Sequence, residues 1–317
     1  MDEGSVIGGG VVLLDKPAGI TSHDAVARLR RALGTKKVGH AGTLDPMATG
    51  LLVLGVGPAT RLLTHLVGLD KVYAATIRLG ATTTSDDADG DLLVTKDASG
   101  VEDAAITAGI AALTGEISQR PSAVSAIKVD GVRAHERVRA GEHVELKARP
   151  VTIHAFVPLA LRREADRIDL DVRVHCSSGT YVRALARDLG EDLGVGGHLT
   201  RLRRTAIGPF QVADAQPVPE WRARDAADGS SPRIHLRTPA EVAERLFPSV
   251  RLDGQQAADL ANGKRLELDT PDAPTVAALA PDGRLVGLVA IERGRTRVLT
   301  NFPVPSQRAG SGQDGVS

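Results

Sequence analysis

Hydrophobic and polar residues alternate with several different periods along the 317-residue chain, and each change of period predicts an element. Residues 11–14 (Val-Val-Leu-Leu) form an apolar run stopped by Asp15, and Lys16-Pro17-Ala18-Gly19 then supplies a turn signal. A run that short, closed in that way, predicts a buried strand. Val26, Leu29 and Leu33 recur at helical spacing, so a helix is expected over 25–33, with N-cap candidates at Ser22, His23 and Asp24 and a stop at Gly34. A loop over 39–46 precedes the apolar stretch 51–54. Residues 72–79 alternate as a strand does, 82–91 read as a polar, acidic loop, and 101–113 return to a helical pattern. Two further strands, over 152–161 and 168–175, are joined by a charged turn, and a helix over 181–189 ends at Gly190.

Strands and helices are thus mixed without strict alternation, which favours an α+β fold over a doubly wound one. The composition shifts over 225–232 (Asp-Ala-Ala-Asp-Gly-Ser-Ser-Pro), as a linker would. Beyond Pro248 the pattern predicts a short helix over 255–260, a glycine turn and two or three short strands ending near Val298, a small β-rich module. The expected organisation is a disordered leader over 1–10, one large domain over 11–247, the small module over 248–305 and a disordered tail over 306–317.

At 42% hydrophobic and 25% charged, the composition is that of an ordinary globular protein. No apolar run approaches the roughly 20 residues of a membrane span. The first residues are acidic where a secretory signal is basic, so a cytoplasmic protein without membrane association is expected. The single cysteine, Cys176, allows neither an intrachain disulfide nor a multi-cysteine zinc site. The nine histidines show no H-x-x-x-H or H-E-x-x-H spacing, and no metal is expected. Gly55-Val56-Gly57 begins like a dinucleotide fingerprint, but Pro58 and Thr60 break it. The segment from Ser85 to Gly90 imitates a calcium loop, yet Ser85 holds its first ligand position and Lys96 stands where a bidentate Glu is needed.

Net charge is zero, but the 39 basic residues are 31 Arg and only 8 Lys. Arg28, Arg30, Arg31, Lys36 and Lys37 precede His40 with no acid among them, and Arg201, Arg203 and Arg204 form a second cluster. Arginine suits two-point phosphate contacts and stacking on bases, although the ordinary role of such a run is a solvated face.

The chemistry concentrates in residues 37–52, Lys-Val-Gly-His-Ala-Gly-Thr-Leu-Asp-Pro-Met-Ala-Thr-Gly-Leu-Leu. On spacing alone, Asp45-Pro46 is an ordinary N-cap and first-turn pair that starts a helix. The glycines at 39, 42 and 50 would let a backbone approach a ligand closely, however, and the basic run lies just upstream. A carboxylate in such a loop is a reasonable catalytic group, without naming a reaction.

From Gly39 to Leu52 the segment resembles the signature of TruB-type pseudouridine synthases, including the Gly-Thr-Leu-Asp-Pro core around their catalytic aspartate. Lys16-Pro17-Ala18-Gly19-Ile20-Thr21-Ser22 resembles the family's amino-terminal motif, and Asp70-Lys71-Val72-Tyr73 with Leu79-Gly80 its tyrosine-bearing strand. The stretches 119–128, 175–183 and 198–205 resemble its later motifs, all in the family's order over about 11–210. One departure is Thr84, which stands where the family's acidic loop has its first Asp. Residues 248–305 resemble a reduced PUA-type RNA-binding domain in outline only, and a plain stabilising appendage is the alternative.

The resemblance implies a mixed, mostly antiparallel sheet with flanking helices and a central RNA-binding cleft, the pseudouridine synthase fold. It implies isomerisation of the uridine at position 55 in the T loop of tRNA. That reaction breaks N1–C1′, turns the base and rejoins it through C5, moving no electrons or groups in or out, so no cofactor is expected. Asp45 is implied as the catalytic carboxylate, with Arg183 as a two-point partner that holds its pKa down against desolvation. Tyr73 is implied to stack on the uracil and to be available for proton transfer. Tyr181 and Leu202 are expected to line the pocket, and His40 to brace the space that a flipped base leaves. Lys16 belongs to the motif implied at the substrate site, while Lys36, Lys37, Arg201, Arg203 and Arg204 are expected to contact phosphates. The partner is tRNA through its T stem-loop, and a monomer needing no protein partner is expected. Two other readings stay open: a non-catalytic tRNA-binding or folding chaperone, and a pseudouridine synthase acting on another RNA.

Overall fold

The computed structural model describes residues 9–122, 124, 128–129, 132–133, 137, 146–220 and 233–302. The expected tail, the expected linker, most of the expected leader and part of the 119–128 motif lie outside these residues.

Strand β1 (Gly10–Lys16) is followed by helix α1 (Ser22–Ala32), β2 (Val38–His40) and β3 (Thr49–Val56). β1 and β3 pair antiparallel and read as apolar runs because both of their faces are covered. Val11, Leu13, Leu51 and Val53 point into one hydrophobic cluster, and Val12, Leu14, Leu52 and Leu54 into another. α1 fills the second cluster with Ala25, Val26 and Leu29, its helical stripe. Its N-cap is Thr21, one residue before the first expected candidate, and Asp24 completes a capping box with it. β2 takes Gly39 and His40 out of the expected loop and pairs them with Gly55 and Leu54.

A one-turn helix α2 (Leu63–Val67) leads to β4 (Lys71–Leu79), and β5 (Ala81–Thr83) with β6 (Leu92–Thr95) bracket the acidic loop. Then come α3 (Asp103–Ala112), β7 (Gly115–Gln119), the short pair β8 (Lys128–Val129) and β9 (Val132–Arg133), β10 (Arg149–Glu164) and β11 (Arg167–Cys176). Helix α4 (Val182–Asp192) and β12 (Gly197–Ile207) complete the centre, with β13 (Phe210–Gln211) and β14 (Gln216–Pro217) beyond. Every strand and helix expected from periodicity before residue 190 is present, usually extending past its expected ends.

Among the described residues the large sheet has ten strands in the order β14-β1-β3-β12-β4-β11-β10-β7, with β2 on β3 and β13 on β12. Only β1 with β14 and β3 with β12 run parallel. This is the mixed, mostly antiparallel α+β sheet that the resemblance implied. The parallel contact places Arg203 opposite Thr49 and Arg204 opposite Gly50, so β12 lies against the loop that carries Asp45. Gly50 has φ +102, and a Cβ there would lie 2.3 Å from the carbonyl oxygen of Arg204. Gly50→Ala is therefore expected to destabilise the protein by about 3 kcal/mol, combining left-handed strain with a backbone clash. Denaturant unfolding checks this; a loss under about 0.5 kcal/mol, the level of an ordinary surface substitution, would contradict it.

The carboxy-terminal part holds α5 (Pro239–Leu246), β15 (Ser249–Arg251), α6 (Gly254–Ala261), β16 (Ala273–Leu279), β17 (Leu285–Glu292) and β18 (Arg295–Asn301). Its four strands form a separate sheet, β15-β16-β17-β18, with a core of its own around Leu260, Val276 and Val289. Val242, Leu279, Leu288 and Phe302 also share a cluster with Val11, Leu13 and Leu51 of the large sheet. The β-rich module is therefore packed onto the rest of the chain through apolar side chains.

Candidate active site

Asp45-Pro46 does not start a helix; residues 43–48 run as irregular turns between β2 and β3. Backbone groups that a helix would have satisfied are tied down from outside instead. Ser22 Oγ accepts from Leu44 N at 2.9 Å and donates to Leu44 O at 3.1 Å. Pro46 O accepts from Gly19 N at 2.9 Å and from Lys16 Nζ at 3.3 Å. On the other side Arg204 donates to Leu51 O at 2.8 Å, Gly42 O at 3.0 Å and Thr43 O at 3.4 Å.

These contacts correct two assignments. Lys16 is 0% exposed, and its ammonium also binds the carbonyls of Pro17 and Ile20, so it lies where no phosphate reaches. Burial pushes its pKa down to about 8, against the pull of the nearby Asp45. Arg204 is 1% exposed, its guanidinium committed to loop carbonyls. Both residues hold the Asp45 loop in shape; Arg204 does so from the wall of the cavity, where it also lies beside Tyr73.

The loop sets Asp45 on the wall of a cavity of about 260 Å³. The amino-terminal end of α4 contributes Arg183, whose Nε lies 3.0 Å from Asp45 Oδ2 and 3.4 Å from Asp87 Oδ2. Its other two nitrogens donate to Ser85 O at 2.6 Å and Val124 O at 2.9 Å. The expected two-point contact is thus not formed: the fork serves buried carbonyls, and a single edge nitrogen faces both carboxylates.

Charge and burial compete at this pair. Asp45 keeps 38% of its side-chain surface open toward the cavity, whereas Arg183 and Asp87 keep 3% and 4%. Burial, the largest influence, pushes the Asp45 carboxyl above its ordinary value; Arg183 pulls it down and Asp87 pushes it further up. The expectation that Arg183 holds the group below the ordinary carboxylate range is reversed, because burial outweighs the pull of the guanidinium and Asp87 adds to it.

Asp87 is not among the candidate residues of the sequence, where 85–90 reads as a failed calcium loop and as part of the family's acidic loop. The loop is folded inward. Asp87 accepts from Ser85 Oγ at 2.5 Å and from Asp89 N at 3.1 Å. Neighbouring Asp86 sits at φ 60, a left-handed conformation that Asp tolerates, and accepts from Ser122 Oγ at 2.6 Å. The only sequence signal available was the family's acidic loop itself.

Tyr73 lines the same cavity from β4, with Leu44 and Leu202 as apolar walls. Burial pushes its phenol pKa up, opposed by the adjacent Arg204 guanidinium, so the hydroxyl stays protonated at neutral pH. Tyr181 also faces the cavity, its backbone clamped by the Gln119 side chain at 2.9 and 3.1 Å. The Arg149 guanidinium stands 5.3 Å from the centre of its ring. Tyr73→Phe is expected to bind RNA normally and turn over poorly, and Tyr73→Leu to lose base stacking as well, worth about 1–3 kcal/mol. Wild-type rates in both variants would remove Tyr73 from the chemistry.

The remaining candidates lie outside the cavity lining. His40 stands outside the lining, two residues from Gly42, its ring edge-on to His23 at 5.8 Å between centroids. Burial lowers its pKa, leaving it neutral at pH 7. Lys36, Lys37 and Arg201 are exposed. Arg203 makes the two-point contact once expected of Arg183, but with Asp15, at 3.0 and 2.7 Å.

Comparison with known proteins gives the family of the chain. The description "TruB family pseudouridylate synthase (N terminal domain)" matches residues 30–182. "tRNA pseudouridylate synthase B C-terminal domain" matches 183–233, and "tRNA Pseudouridine synthase II, C terminal" matches 247–303. The chain belongs to the TruB family of pseudouridine synthases. It is 57% identical to the tRNA pseudouridine synthase B of Leifsonia xyli, over 94% of this chain and 98% of that protein. Identity to the Thermobifida fusca protein of the same name is 51%, over 92% and 98%. A chain in the crystal structure of a Cbf5-Nop10-Gar1 complex superposes with a TM-score of 0.66 at 26% identity, over 94% of this chain and 86% of that one.

Proposed function

We propose that this pseudouridine synthase isomerises uridine 55 in the T loop of tRNA, acting as a single chain in the cytoplasm. The observation that carries the reading is Asp45 Oδ2 at 3.0 Å from Arg183 Nε, on the wall of a cavity that Tyr73 also lines. The target uridine leaves its stack and enters the cavity, where Tyr73 offers a ring to stack upon. The ionised Asp45 meets the ribose side of the base, stabilising or capturing the positive charge that develops at C1′ as N1–C1′ breaks. The base turns, C5 bonds to C1′, the C5 proton departs and N1 gains one, so the product is an isomer. Exposed Lys36, Lys37 and Arg201 contact phosphates and set register, while His40 braces the emptied stack. The β-rich module of residues 248–305 adds RNA-binding surface.

Loss of the C5 proton makes the test direct. Unmodified tRNA transcript tritiated at uridine C5 is expected to release label equivalent to a single uridine. The same transcript with cytidine at position 55 should release none. Equal release from both would place the reaction at another uridine, and release from neither would leave only RNA binding.

A further inference from the structure

Outside the catalytic cavity, three metal-ligating side chains from separate segments converge on the open face of the sheet. Asp70 immediately precedes β4, His154 lies on β10 and His175 on β11. His154 Nε2 is 3.2 Å from Asp70 Oδ2, and His175 Nε2 is 3.9 Å from the same oxygen. One ligand atom from each of the three lies within 4.8 Å of the others. The register explains the meeting: Ile153 pairs with Cys176 and Ala155 with His175, so His154 is the extra residue of a β-bulge. Ile153 and Cys176 face the core, and the two imidazoles share the open face, their ring centroids 4.7 Å apart.

We propose that Asp70, His154 and His175 form a binding site for one divalent transition-metal ion of the zinc, cobalt or nickel kind. Two imidazoles with one carboxylate are borderline donors that suit these ions, whereas calcium and magnesium want oxygen throughout. A metal at about 2.0–2.2 Å from each ligand needs ligand atoms about 3.0–3.5 Å apart. The Asp70–His154 spacing of 3.2 Å already meets that, and His175, 3.9 Å from Asp70 and with all three ligand atoms within 4.8 Å of one another, has to turn inward to close the set. All three side chains are more than one-third exposed, so the remaining coordination positions open to solvent. Cys176, adjacent in sequence, is no competitor: its thiol is buried and pushed up to about 11. Lys71 places no ammonium against the ion either, because its Nζ is bonded to Val67 O and Leu69 O at 2.6 Å and to Ser178 Oγ at 3.0 Å. The expectation of no metal rested on histidine spacing along the chain, and a site assembled across strands leaves no such spacing.

Lys71 and Tyr73 line the cavity from the face they share with Cys176 and Val174, whereas His175 pairs with Val72 on the other face of the sheet, so the site is separate from the cavity lining. It does not depend on which RNA is the substrate. The test uses tag-free, full-length protein stripped with a chelator. Cobalt(II) is titrated while visible ligand-field absorption is followed, and zinc is titrated by calorimetry. Wild type is expected to take up one ion per chain, with zinc displacing cobalt. His154→Gln, His175→Gln and Asp70→Asn should each weaken binding by at least about tenfold, the scale on which even outer-shell changes weaken metal sites. His23→Gln, which alters the other histidine pair, should leave binding unchanged. Absent saturable binding, equal binding in wild type and the three ligand variants, or loss in His23→Gln alone would each overturn the proposal.

Discussion

Asp45→Asn is expected to reduce single-turnover pseudouridine formation by at least about 10³-fold, while tRNA binding stays within about tenfold of wild type. The amide keeps the shape of the side chain but can neither carry negative charge nor attack carbon. Affinity survives because the exposed basic residues Lys36, Lys37 and Arg201 are untouched. Folding survives as well, and the sign can be worked out. A carboxyl whose pKa is raised in the folded state contributes stability that is fully present below its unfolded pKa and is lost as pH rises through the folded value. Asp45 is such a group, so at neutral pH its charge is a cost that Asn removes. The thermal midpoint at pH 7 should equal or exceed that of wild type. Retained turnover, or loss accompanied by unfolding, would remove Asp45 from its role.

The second large effect concerns the neighbours of Asp45. With the ionised form proposed as the active one, the acid limb of the pH–rate profile is expected above the ordinary value of 3.8 in wild type. Arg183→Ala removes the group that pulls the pKa down, so the limb should move to higher pH. Asp87→Asn removes a group that pushes it up, so the limb should move the other way. Arg183→Lys keeps the charge, but one ammonium cannot face two carboxylates and also satisfy Ser85 O and Val124 O. It is expected to lose about 10²-fold or more in turnover, in line with removal of one oriented donor. Single-turnover rates across mildly acidic pH read all three variants. Limbs that coincide in Arg183→Ala and Asp87→Asn would show that neither residue sets the ionisation of Asp45.

What the sequence made legible follows the same physics. β1 and β3 stood out because both faces of each are buried, leaving uninterrupted apolar runs, and α1 because its core-facing stripe is regular. Asp45, Tyr73 and Arg183 could be located through resemblance, since spacing alone pointed Asp45 to a helix cap. Lys16 and Arg204 were misplaced because a charged side chain is by default a surface one. The carbonyls that bury them belong to a loop whose path appears only in three dimensions. For Arg204 a clue was present: in a strand, side chains alternate, so a pocket-facing Leu202 puts Arg204 on the inner face and Arg201 and Arg203 on the outer. Asp87 stayed hidden because nothing in a polar loop says which of its acids turns inward. The Asp70, His154 and His175 cluster needs a bulge in one strand and the register of two others, and neither is written in residue spacing.

The most direct test of the central claim is to map pseudouridine in an unmodified tRNA transcript after incubation with the protein, by carbodiimide treatment and primer extension. Wild type is predicted to produce one new stop, assigned to uridine 55 of the T loop, and Asp45→Asn to produce none. A stop of equal strength with Asp45→Asn, or wild-type stops only outside the T loop, would contradict the account.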